Sequence, residues 1–96
     1  MPKGYDVGHI TVTDPVAYQE YTRRDAPIPE SHGGRFIARG GASEAPDGPI
    51  KERHVVNEFP DFDGARRALY SPEYQEVAAM RRATAERDIL LVEGVQ

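Results

Sequence analysis

An α+β fold, one antiparallel sheet with helices laid against a single face, is the class that this 96-residue sequence predicts. Three observations predict it. Stretches that alternate apolar and polar residues are separated by stretches of helical period, in the order strand, helix, two strands, broken helix, strand. Two cap-then-proline pairs, Asp14-Pro15 and Ser71-Pro72, mark helix starts, because the acidic or hydroxyl side chain can accept a first-turn N–H and proline already has helical φ. Finally, Gly33-Gly34 and Gly40-Gly41 bracket Arg35 to Arg39, a run too short for anything but a strand.

The first strand runs from Tyr5 to Val12, with Tyr5, Val7, His9 and Thr11 on one face and Asp6, Gly8, Ile10 and Val12 on the other. A helix starts after Asp14, and either Ala17, Tyr21 and Arg24 or Tyr18, Tyr21 and Asp25 form its inner stripe. Pro27 and Pro29 predict a kink near Ala26 and a last turn ending at His32-Gly33. In the second strand, simple alternation places Phe36 and Ala38 on one face and Arg35, Ile37 and Arg39 on the other. Gly40 to Pro49 is turn chemistry and should be the most mobile segment. Lys51 to Phe59 makes a third strand, with Val55, Asn57 and Phe59 against His54, Val56 and Glu58. Asp61 caps a short helix burying Phe62, Ala65 and Leu69, which Gly64 weakens. Ser71 starts a second one carrying Tyr74, Val77, Ala78 and Arg81, and Ile89 to Val92 is a last, buried strand.

This order is the split β-α-β arrangement of ferredoxin-like folds, in one domain spanning residues 1–96. One sheet face would be bare, and a second copy covering it would give a two-fold homodimer.

Composition narrows the function. A net charge of −4 with no basic run disfavours nucleic acid. The absence of cysteine removes disulfides, thiolate catalysis and sulfur-ligated metals. No signal-like segment or apolar run of about 18 residues is present, so the expectation is a cytoplasmic protein without a membrane partner.

Four blocks, His32-Gly33-Gly34-Arg35-Phe36-Ile37-Ala38-Arg39-Gly40-Gly41, Val55-Val56-Asn57-Glu58-Phe59-Pro60, Tyr70-Ser71-Pro72-Glu73-Tyr74-Gln75 and Leu90-Leu91-Val92-Glu93-Gly94, occur in this order. Together they resemble the domain-of-unknown-function family DUF1330, within the dimeric α+β barrel group, over nearly the whole chain from Gly4 to Val95. The resemblance implies a ferredoxin-like protomer dimerising through its sheet, and it brings no agreed activity. The wider group holds antibiotic-biosynthesis monooxygenases, haem-degrading enzymes, muconolactone isomerases and stress-responsive barrel proteins, so fold does not choose the chemistry. The departure from the pattern is the mostly polar face of the third strand, where His54 stands at a position often basic in the family.

Candidate site residues follow from the strands. His9, His54 and Glu58 permit a two-histidine, one-carboxylate arrangement, but their spacing is no ligand motif; each is read first as a hydrogen-bonding group at a sheet surface or dimer interface, and no metal is assigned. Arg39 leaves its strand beside glycines and offers a fork for a carboxylate, or pairs with Glu58. Tyr18, Tyr21, Tyr70 and Tyr74 either wall a pocket or fill the core with a wet hydroxyl. Ser71 reads as a cap rather than a nucleophile, and Arg66-Arg67 and Arg81-Arg82 as solvated helix faces. The glycine pairs lack the context of a phosphate-binding loop, and no cofactor is assigned.

The sharpest expectation groups Arg39, His54 and Glu58, walled by Tyr18 and Tyr74 with His9 nearby, around a small anionic or carbonyl ligand. Parity leaves open whether that face meets the helices or a partner sheet. The functional reading is a homodimeric small-molecule-binding protein, as a cofactor-independent enzyme on a small aromatic or carbonyl compound. The alternative is a non-catalytic dimeric interaction module.

Overall fold

The chain is described here by a computed structural model covering residues 2–96. Its elements are β1 (Gly4–Val12), α1 (Pro15–Asp25), α2 (Pro27–Ser31), β2 (Arg35–Arg39), β3 (Arg53–Phe59), α3 (Phe62–Leu69), α4 (Pro72–Thr84) and β4 (Ala85–Glu93). The caps behave as local chemistry dictates. Asp14 accepts from the Ala17 N–H at 3.2 Å, Asp61 from Gly64 at 2.7 Å and Ser71 from Tyr74 at 3.2 Å. The kink falls at Ala26, between α1 and the proline that opens α2.

The strands form one antiparallel sheet in the order β2-β3-β1-β4, the ferredoxin-like βαββαβ arrangement. Helices cover its inner face, where Ile10, Phe59 and Ala85 from the sheet meet Tyr18, Tyr21, Ala65, Leu69, Tyr74 and Val77. Phe59 is 1% exposed, and Gly34 lets β2 pass so close to its ring that any side chain there would overlap it. On the outer face, Ala38, Val56, Val7 and Leu90 stand in one row across all four strands, since Val56 is paired with both Ala38 and Val7, and Val7 with Leu90. Leu90 is 50% exposed there and Val92 44%.

Three expectations need correction. In β2, the register shifts between Phe36 and Ala38, so Ile37 is an extra residue in a β-bulge. Alternation therefore breaks there: Phe36, opposite Asn57, and Arg39, opposite Val55, share the inner face, while Arg35 and Ala38 share the outer one. Second, Arg81 is no solvated residue; it is 5% exposed, on the inner side of α4 with Tyr74, Val77 and Ala78. Third, β4 begins at Ala85, directly from α4, well before Ile89, and it is partly exposed rather than buried. Glu86, Arg87 and Asp88 hide this strand from a hydropathy reading, yet they pair with Thr11, Ile10 and His9. The junction is tied down, because the Thr84 carbonyl accepts the N–H groups of Thr13 at 2.8 Å and Asp14 at 3.1 Å. Residues 40–52, which join β2 to β3, lie outside regular structure, and all but Lys51 are exposed.

Candidate functional site

Between α1, α4 and the inner face of the sheet lies a small pocket in which charged groups collect. Period two in β1 turns Asp6 inward, and the antiparallel register sets Asn57 opposite it. The Asn57 amide donates to Asp6 Oδ2 at 3.1 Å. Helical spacing puts Tyr18, Tyr21 and Asp25 on one stripe of α1, all three buried. From α4, Tyr74 brings its hydroxyl within 3.4 Å of that of Tyr21, and Arg81 Nη1 donates to the Tyr74 oxygen.

Arginines guard the mouth. Arg39 donates from Nη2 to the Thr22 carbonyl at 3.0 Å, and its guanidinium carbon lies 4.2 Å from the centre of the Phe36 ring, a cation–π geometry. Arg53 stands 5.6 Å from the centre of the Tyr18 ring. Its guanidinium occupies space that a side chain at Gly40 would claim, and the positive φ of +70° also favours glycine at that position.

Burial sets the electrostatics. It pushes Asp6 up to about 6, although the Asn57 hydrogen bond and the charge of Arg81 pull the other way. Asp25 is pushed up to about 6 by burial and by the neighbouring Asp6 carboxylate, with Arg39 and Arg81 opposing. Burial also raises Tyr18, Tyr21 and Tyr74, so these phenols stay protonated. Asp25 Oδ1, Asn57 Oδ1, Arg53 Nε and Arg81 Nε are buried without a hydrogen-bond partner. Two carboxylates ready to exchange protons near neutral pH, beside unpaired polar atoms in a cleft, can move a proton.

The structure divides the sequence candidates between two faces. Arg39, Tyr18 and Tyr74 line the inner pocket. His54, Glu58 and His9 lie on the outer face, so Arg39 does not converge with His54 and Glu58. The cause is the bulge at Ile37, which carries Arg39 through to the inner side. Glu58 instead accepts from Arg35 Nη2 at 3.2 Å and from the Tyr5 hydroxyl at 3.4 Å. His9 and His54 sit directly opposite each other, their Nδ1 atoms 2.9 Å apart, so one ring donates to the other. Among the described residues no group of three or more His, Cys, Asp or Glu is placed to hold a metal ion. No helix among them is long and apolar enough to cross a membrane.

Sequence reasoning missed Asp6, Asp25, Asn57, Arg53 and Arg81 as a group. Signals existed for some of them. Asp25 shares the α1 stripe with Tyr18 and Tyr21, and Asp6 and Asn57 hold inward positions of their strands, where an unpaired polar residue is out of place.

Comparison with solved structures supports the architecture. A protein of unknown function from Rhodopseudomonas palustris superposes with a TM-score of 0.78 at 16% identity, covering 99% of this chain and 84% of that one. SnoaB from Streptomyces nogalater, described as a cofactor-independent oxygenase, gives 0.67 at 24% identity over 100% and 96%. A dimeric ferredoxin-like protein of unknown function from Thermobifida fusca gives 0.63 at 14% over 96% and 91%. At such identities the likeness shows the fold alone. No curated protein matches the chain. The model of the domain of unknown function DUF1330 matches residues 3–95, and the chain belongs to that family.

Proposed function

We propose that this protein is a homodimer that binds a small aromatic or carbonyl compound between its helices and sheet and acts on it without a cofactor. One observation carries the reading. Asp25 is 8% exposed, lines the pocket with a carboxylate oxygen that has no hydrogen-bond partner, and is pushed up to about 6. Such a group takes a proton efficiently near neutral pH.

Asp25 would remove a proton from carbon beside a carbonyl or phenolic oxygen, becoming the neutral acid. Arg39 would hold the oxygen on which the charge settles, and Tyr18 and Tyr74 would flank the ring. Return of the proton to a different carbon completes an isomerisation; transfer of electrons to dioxygen starts an oxygenation. Structural likeness to a cofactor-independent oxygenase supports this class of chemistry, and likeness to a dimeric protein, with the apolar row on the outer face, supports the dimer.

One observation favours the other reading, a non-catalytic interaction module. The tyrosines and Phe36 leave only about 30 Å³ free in the pocket, the space of a water molecule, so a ligand must displace Arg39 and Phe36 at the mouth. Native mass spectrometry on protein from its own host separates the two. A retained compound in the wild type, lost in Arg39→Ala with dimer and melting temperature unchanged, supports the enzyme. An empty wild type, together with an Arg39→Ala variant that dissociates and melts lower, supports the module.

A further inference from the structure

A second concavity shares Tyr74 and Ile89 with that pocket, but its other lining residues take no part in the proposed chemistry. It is a groove of about 360 Å³ between α3, α4 and β4, within the ~300–1,000 Å³ range of small-molecule sites. Leu69, Tyr70, Ile89 and Leu91 give it apolar walls, and its charged lining consists of Arg66 and Arg81 with no carboxylate. That is unusual on a chain of net charge −4. We propose that this groove binds a small aromatic carboxylate.

The cations are placed for an anion. Arg81, 5% exposed, gives Nη1 to the Tyr74 hydroxyl and has its Nε buried without any partner. That charge also serves Asp6 and Asp25 on the sheet side, so on the groove side Arg81 supplies field and the exposed Arg66 supplies the charge-assisted hydrogen bond to an anion. Arg66 stands at the rim, its side chain 56% exposed, with Nη1 3.7 Å from Asp63 Oδ1. Arg67 holds the other oxygen of that carboxylate, so one acid faces two guanidinium groups and positive charge is left over beside the groove. The apolar component follows from Tyr70, whose side chain lies against no other part of the fold strongly enough to hide it; it is 69% exposed. A flat ring sliding beneath it, over Leu69 and Leu91, would bury both partners.

Titration of the wild-type protein with naphthoate, followed by amide-resolved NMR and calorimetry, tests the site. The expected result is saturable binding with shifts centred on Leu69, Tyr70 and Ile89 to Leu91. Naphthylmethanol, the neutral analogue, should bind at least about tenfold more weakly, and Arg66→Ala should weaken naphthoate by about threefold to tenfold. Arg66 is exposed, so this variant keeps its fold. No saturation, equal affinity for the alcohol, unchanged affinity in Arg66→Ala, or shifts centred instead on Thr22, Phe36 and Arg39 would each overturn the proposal. The last outcome would place the anion in the pocket of the proposed chemistry, while failure of that chemistry leaves the groove result untouched.

Discussion

The two faces of the sheet carry polar residues under different terms. On the outer face, His9 with His54 and Arg35 with Glu58 are paired at the surface, where such contacts are worth at most about 1 kcal/mol. On the inner face, Asp6, Asp25, Asn57 and Arg81 are buried, and the last three keep an atom without a partner. An unpaired buried donor or acceptor costs roughly 1–3 kcal/mol. The outer face thus holds polar groups that satisfy one another, whereas the inner one holds groups whose burial costs stability, the pattern on which the proposed site rests.

The largest test of this contrast lies in the core. Phe59→Ala should lower stability by about 3–5 kcal/mol, because its side chain is fully buried between α3 and β2 and leaves a cavity that backbone elements cannot collapse into. Chemical denaturation measures it; a loss below about 1 kcal/mol would mean that the inner face is loosely packed.

Next comes pH. Asp6 moves from 3.8 to about 6 on folding, so its folded value is raised. The associated stability is fully present below about pH 4 and is lost as pH rises through about 6, by at most roughly 3 kcal/mol. Asp6→Asn does not titrate, so its melting temperature should gain on that of the wild type between about pH 4 and 7. A difference that stays constant across this range would show that Asp6 is not buried as a charge.

A smaller effect is expected from outside. Val7 stands in the middle of the outer apolar row, between Val56 and Leu90. Val7→Asp should weaken the dimer by at least about tenfold while the monomer stays folded, since a desolvated carboxylate would face the partner. Sedimentation of the variant as a stable dimer would remove the outer face from the interface.

What the sequence revealed follows from range. Caps at Asp14, Asp61 and Ser71, the kink at Ala26 and the order of elements depend on a few consecutive residues, and these were legible. The inner pocket depends on pairing between distant strands. A bulge at Ile37 carries no composition signal, yet it alone decides that Arg39 meets the helices and leaves His54 and Glu58 behind. Arg81 lies at an apolar position of α4, two turns after Tyr74, but the Asp6 carboxylate near it comes from β1, which no window on the helix contains. The same holds for β4, whose charged first half is a strand only because Thr11, Ile10 and His9 pair with it.

The Thr84 junction has a mechanical consequence. One carbonyl fastens the end of α4 to the start of α1, and Ala85 enters the sheet without a connecting loop. The helical layer is therefore bound like the leaves of a book, with its spine at Thr84. At the opposite margin Arg39 donates to the Thr22 carbonyl and the Gly34 N–H to that of Pro29 at 2.8 Å, and the long segment after Gly40 begins there. Pages bound on one side part on the other, so Arg39→Ala should speed amide exchange along β2 while the amides of Thr13 and Asp14 stay as slow as before.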